Sequence, residues 1–379
     1  MQGLGRCTAY AVFYSCLILP SIASAAVPLP PCLEGSTCLP TTGAPYDLSR
    51  FNIPAETQCS WPEEPRTTTT VTVGSPAELQ AAADRGNVRI VIGWTGTRSG
   101  NVTLDTSDVA IEMPNTATLD GRIQIGSRQR DVARVSWRGG NHLTGPFVLD
   151  EADDVLIYDF HSTHDAMGRY DNVNDMRCSP GGCNRAAFVS STFAGINPDS
   201  RDSYTFYTEA NPTPSQCMIL ANVLAEQAPG GSHVSRIQGV RQIIVVDSAF
   251  VNPDEGGTAF RFHRSVTNAF VADTHIRGRI KLDSIDAGET VSVLNGVFDN
   301  VTSYNTVHNL FAVQSPMPNT GVVRNSLVYS TYGGGGTPAG ISPLANGGGN
   351  ELIQWDGRSF PMPDSDGVVP NMSTIGAIR

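Results

Sequence analysis

A chain of 379 residues with 38 glycines, 25 prolines and only 16% charged residues has the composition of a turn-rich β protein rather than a helical one. Its length allows one large core or two small ones. The formal charge of −11 excludes a whole-molecule basic footprint of the kind that grips nucleic acid.

Residues 1–25 read as a cleavable signal peptide: Arg6 supplies the positive start, an apolar stretch runs from Ala9 to Leu19, and Ala23-Ser24-Ala25 provides the small residues of a cleavage site. The apolar run is too short to span a bilayer. Bulky Phe13 and Tyr14 before Cys16 disfavour a lipoprotein site. The expectation is a secreted, periplasmic or cell-surface protein with no membrane span. After cleavage the cysteines are Cys32, Cys38, Cys59, Cys178, Cys183 and Cys217, and an oxidising compartment makes disulfides the default. Cys178 and Cys183 flank Ser-Pro-Gly-Gly, a turn that a bridge could close. A metal site has less support, because there is no CxxC pair or nearby histidine grouping.

Residues 26–70, rich in proline, threonine and cysteine, read as an extended segment lying along the body. SPAELQAAADRG (75–86) predicts a short amphipathic helix with Ser75 as N-cap and Leu79 and Ala82 on one face. From 71 to 332 a phrase recurs: alternating apolar residues, a polar or small residue, then another apolar pair. IIVVDSAF (243–250), NAFVADTHI (268–276), TVSVLNGVF (290–298) and TGVVRNSLVY (320–329) are clear copies. Aligned on the polar position, the anchors are Ile92, Met113, Trp137, Asp159, Ser190, Asn222, Asp247, Asp273, Asn295 and Asn325. Their mean spacing of about 26 residues belongs to solenoids or propellers. Each period holds two or three short strands rather than a four-stranded blade. The pattern therefore predicts an all-β, right-handed parallel β-helix of about ten coils, capped by the helix at 75–86. A Gly-rich loop and C-terminal tail follow over 333–379.

The helix leading into VRIVIGWTG, the repeat, and the closing STIGAIR (373–379) resemble the pectin-lyase-like β-helix superfamily over residues 70–379. That resemblance is specific for fold and not for reaction.

Alternation along a strand sorts inward from outward side chains. In SRIQG (235–239) Ile237 points in, leaving Arg236 and Gln238 outward. In AFRFHRS (259–265) Phe260 and Phe262 point in, leaving Arg261 and His263 outward. In GRIKLDS (278–284) Ile280 and Leu282 point in, leaving Arg279 and Lys281 outward. One coil earlier, SYTFYTE (203–209) leaves Tyr207 outward. If the strands share a wall, they form a solvent-facing cationic ladder whose like charges repel by about a kcal/mol per pair. An anionic ligand would relieve that repulsion, and Tyr207 could stack on a sugar ring. Lys281 is the sole lysine against 24 arginines. Lysine can shed its proton beside other cations and arginine cannot, although a chance surface lysine is the plainer reading.

These residue types suit β-elimination on a uronate polymer. Cations neutralise the carboxylate while a base takes the α-proton, and an acid returns a proton to the leaving oxygen. The stretch 235–278 is also similar to the alginate-lyase and chondroitinase-B-type branch, with His263 on the histidine of its Arg-His-Gly signature. It departs from that pattern at three places: Gln238 stands where the lysine belongs, Phe262 at the arginine position with Arg261 one residue earlier, and Arg264 in place of the glycine. The base therefore does not carry over by resemblance, and Lys281 one coil later is a displaced substitute.

Other clusters carry less. His161, His164, Asp165 and Arg169 read as a solvated turn. Asp247 and Asp273 read as bend residues rather than Ca2+ ligands, and no cofactor is expected. No compact aspartate run supports a paired-carboxylate hydrolase. The sequence thus points to a secreted carbohydrate-active enzyme, a polysaccharide lyase on an acidic polysaccharide. Lys281, His263 and Arg261 would be catalytic, and Arg236, Gln238, Arg279 and Tyr207 would bind substrate. The alternatives are a non-catalytic glycan-binding or adhesive β-helix and a purely structural solenoid. The site exists only if 236–238, 261–263 and 279–281 come together on one wall.

Overall fold

The computed structural model describes residues 44–127, 130–164, 174–177, 183–195, 204–209, 215–227, 233–252, 257–264, 266–282, 293–305, 311–312, 319–330, 341 and 344–354. Residues 1–25, read above as a signal peptide, Cys32, Cys38, Cys178, Asp165, Arg169 and the end of the tail lie outside these residues.

The strands pair in parallel ladders and form a right-handed parallel β-helix, the hand that parallel crossovers take. The first wall is a 12-stranded sheet running from Thr69–Val73 to Ala345–Asn346. The second wall runs from Gly96–Ser99 to Glu351–Gln354, and the third from Val102–Leu104 to Phe311–Ala312. In two early coils a single strand turns the corner and serves both of the last two walls: Ala117–Ile125 and Asn141–Asp150. The ten repeat anchors account for ten strands of the first wall. The other two are Thr69–Val73 and Ala345–Asn346, at the ends.

The corner after the first wall is made by residues in the left-handed region: Asp159, Ser190, Asn222, Asp247, Asp273, Asn300 and Asn325 all have φ between 46° and 56°. Asn and Asp tolerate this conformation best among non-glycine residues. Each corner N–H continues the coil-to-coil bonding, as in Ser190 N to Ala221 O at 2.9 Å and Asn222 N to Val246 O at 3.0 Å. Asn295 does not take this place. Its φ is also positive, but it sits at the opposite end of the first-wall strand, where its Nδ2 donates to Asn268 Oδ1 at 3.1 Å. Asn300 makes the bend in that coil.

The helix Pro76–Ala83 covers the first coil, with Leu79, Ala82 and Ala83 buried. Ser75 Oγ accepts from Glu78 N at 3.3 Å, and Glu78 Oε2 accepts from Gly74 N at 2.7 Å, a reciprocal cap. Inside the later coils phenylalanines stack along the axis: Phe250–Phe260 at 4.7 Å, Phe260–Phe262 at 4.9 Å, Phe262–Phe298 at 6.1 Å and Phe298–Phe311 at 5.0 Å. Each edge-to-face pair adds about 1 kcal/mol to its burial.

Strands Ala186–Val189, Met218–Ala221 and Ile243–Val246 are buried at every position, so they read as continuous apolar runs. Their outer face is covered by Tyr46, Leu48, Phe51, Ile53 and Trp61. This N-terminal strap is joined to the wall by the Cys59–Cys217 disulfide. Polar contacts pin it elsewhere: Glu63 N donates to Asp154 Oδ1 at 2.9 Å, Arg66 N to Asp108 Oδ1 at 2.8 Å, and Tyr46 and Arg50 both bind Asp247. Asp108 and Asp154 are gripped in turn by Arg134 and Arg185 of the neighbouring coils. Cys183 is also disulfide-bonded.

Two outcomes follow from this packing. The Cys59–Cys217 bond closes a separation of 158 residues, and Cys217→Ala is expected to cost about 2–5 kcal/mol in denaturant unfolding. His275, on the second wall, is 2% exposed and lies 5.0 Å from Tyr304. Burial, and then Arg277, push its imidazole down to about 4. As pH falls below the unfolded value, the unfolded chain takes up the proton first. The stability present above about pH 6.5 is therefore lost on the way down to pH 4, by about 3 kcal/mol. Melting temperature measured against pH should show this slope, and His275→Phe should reduce it, leaving the part that comes from the likewise depressed His233.

Candidate functional site on the third wall

Three third-wall strands, His233–Gln238, Thr258–Arg264 and Arg279–Leu282, lie side by side. Ile237 pairs with Phe262, and Phe262 with Leu282, all fully buried in the core. With that row inward, the preceding residue of each strand faces out. Arg236, Arg261 and Lys281 therefore occupy one row on successive coils, Arg261 pairing with Lys281 directly. Tyr207 continues the row by backbone pairing with Arg236; its side chain is outside the described set. A register irregularity beside Thr258 puts Arg279 opposite Thr258, whose other neighbour is His233. Arg279 thus joins a second row instead of flanking Arg261.

The ladder is outward but not fully open. Arg261 is 4% exposed, Gln238 3% and His263 0%, whereas Arg236, Arg279, Lys281 and His233 are half-buried. This corrects the expectation of a solvent-facing ladder at Arg261, His263 and Gln238. Strand alternation separates the inside of the solenoid from the outside, but it does not say what packs over the outside.

Beside the row is a compact polar cluster. His263 Nδ1 lies 2.9 Å from Arg236 Nη2 and 3.1 Å from Gln238 Oε1, and Nε2 lies 3.3 Å from the same Arg236 nitrogen. Gln238 is itself clamped by Thr208 of the preceding coil: Thr208 Oγ1 accepts from Gln238 N at 2.8 Å and donates to Gln238 O at 2.9 Å.

Two titratable groups of this region were not singled out from sequence. The His233 imidazole is pushed down to about 3 by burial and then by Arg261, Lys281 and Arg236. Burial also raises the Glu226 carboxyl, at the end of the second-wall strand Leu224–Glu226 of the same coil. His233 starts its strand two residues before the alternation becomes readable at Ser235. Glu226 is an acid closing an apolar run, and that is the only sign it gives. The His161–His164 segment is a second-wall strand and not a turn. His161 Nδ1 bonds Thr192 Oγ1 at 2.8 Å, and Nε2 is 3.8 Å from Asp159. Among the described residues no group of three or more His, Cys, Asp or Glu is arranged to hold a metal, and no helix is long and apolar enough to cross a membrane.

No family model and no curated protein matches the sequence. Among solved structures, the chain is similar to an alginate lyase from Paenibacillus sp. str. FPU-7, with TM-score 0.47 and 14% identity over 76% of this chain and 99% of that one. It is also similar to an endo-xylogalacturonan hydrolase from Aspergillus tubingensis, with TM-score 0.42 and 13% identity over 75% of this chain and 93% of that one.

Proposed function

We propose that this protein is an exported carbohydrate-active enzyme, a polysaccharide lyase that cleaves a uronate-containing glycan by β-elimination on the third wall. The supporting observation is the row of Arg236, Arg261 and Lys281 on three successive coils. Strand spacing sets these cations about 4.8 Å apart along the axis, close enough for carboxylates of one chain lying along the ladder to interact with more than one of them.

In this reading Arg236 and Arg261 neutralise the substrate carboxylate and so stabilise the charge that develops when the α-proton leaves. Lys281 takes that proton, because an ammonium beside two guanidiniums gives up its own more readily while arginine stays charged. The glycosidic C–O bond breaks as the new C=C bond forms, and protonated Lys281 returns its proton to the leaving oxygen. Arg279 and Tyr207 line the flank, Tyr207 as a stacking surface for a sugar ring. His263 lies beside the row, against Arg236. The burial of Arg261 and His263 favours a second reading, a β-helix that binds acidic glycan without turnover.

Incubation with pectate, alginate, hyaluronan and chondroitin sulfates separates the two readings. The lyase produces the ultraviolet absorbance of an unsaturated sugar end, and Lys281→Ala should lower that rate by about 10²–10⁴-fold. Glycan retention that weakens with added salt, with no absorbance in any of the four polymers, would instead establish the binding module. New reducing ends without absorbance would mean hydrolysis and overturn the elimination chemistry.

A further inference from the structure

Arginine is a donor at every nitrogen and keeps its charge in proteins, so whatever meets Arg236 Nη2 must accept. The group that meets it is the His263 ring. In the neutral tautomer with hydrogen on Nδ1, Nδ1–H donates to Gln238 Oε1 at 3.1 Å and Nε2 accepts from Arg236 at 3.3 Å. The other neutral tautomer accepts from Arg236 at Nδ1 at 2.9 Å. A doubly protonated ring could accept in neither way, and it would set two cations against each other at a fully buried position.

We infer that His263 is a positioning residue, a neutral imidazole that orients the Arg236 guanidinium toward the ligand and carries no proton in the reaction. The inference rests on reading the third wall as the glycan site, and it replaces the catalytic role expected of His263 from sequence. It also accounts for Gln238 standing where the resemblance places a lysine. An ammonium there would be a further cation against Arg236, whereas an amide oxygen can receive the ring N–H. The relay then runs from Thr208 through Gln238 and His263 to Arg236, and all but the last residue are buried. An arginine side chain held in place before the ligand arrives loses less rotamer freedom on binding.

The test uses the full chain with alginate and polygalacturonate as probes, read by affinity electrophoresis and by KM and kcat for the unsaturated product. His263→Leu should weaken retention and raise KM by roughly ten- to a hundredfold, the loss expected when a hydrogen bond to a charged group is removed. Arg236→Gln should match it, and the double variant should be no weaker than Arg236→Gln alone. His263→Gln, which keeps an acceptor, should recover most of the loss. The inference is overturned if the two single effects add, or if His263→Leu lowers kcat with KM unchanged and removes a limb of the pH profile.

A readout independent of glycan uses the chain labelled with nitrogen-15 histidine. The signals that vanish in His263→Gln should keep neutral-imidazole shifts between about pH 5 and 8, and imidazolium shifts there would refute the positioning role. If wild type retains neither polymer while these shifts stay neutral, the glycan reading fails and the His263–Arg236 contact stands. Should His263→Leu not fold, Gln238→Leu and His263→Gln carry the same comparison.

Discussion

The structure depends on one constraint: every strand must pass its hydrogen bonds to the same position of the next coil. A parallel ladder has no hairpin to set its register. Here the register is set by the corner after the first wall, where Asp159, Ser190, Asn222, Asp247, Asp273, Asn300 and Asn325 repeat the same left-handed turn. Their N–H groups stay within the ladder while the chain changes direction. Loss of one such corner would shift the phase of everything outside it, because a slip of one residue exchanges the two faces of a strand.

Register is also what turns scattered sequence into a site. Arg236, Arg261 and Lys281 are far apart along the chain and become neighbours because Ile237, Phe262 and Leu282 beneath them must share the core. The apolar row, reinforced by the Phe260–Phe262–Phe298 contacts, holds the three cationic residues in one row. Where the ladder is irregular, the pattern above it changes. Gln238 pairs with Arg264 yet still reaches His263 with its side chain, and Arg279 is displaced into the row of His233 and Thr258.

The first wall faces a different demand. Its middle strands are apolar on both faces, and the outer face is covered by the strap around Phe51 and Trp61 and tied by Cys59–Cys217. At Val88–Ile92 burial alternates along the strand instead, with Arg89 and Val91 partly exposed. The strap and the third-wall cations thus use different faces of one scaffold, so a polar ladder and a second hydrophobic layer coexist without competing for the same core.

The amino-acid sequence determined the fold class, the helix cap with Leu79 and Ala82 inward, the corner positions from Asp159 to Asp273, and the outward phase of Arg236, Arg261 and Lys281. All of these are consequences of local periodicity and backbone preference. The error at Asn295 arose because left-handed residues also occur at the start of several first-wall strands, and asparagine serves there, as at Asn268 and Asn295, as well as at the corner after them. Tertiary structure alone decided how deeply Arg261 and His263 are buried, that His263 meets Arg236 and Gln238, and that His233 lies within reach of three cations. Those properties depend on what other coils and segments place over a given strand, and a pattern of period two holds no information about contacts made from outside its own wall.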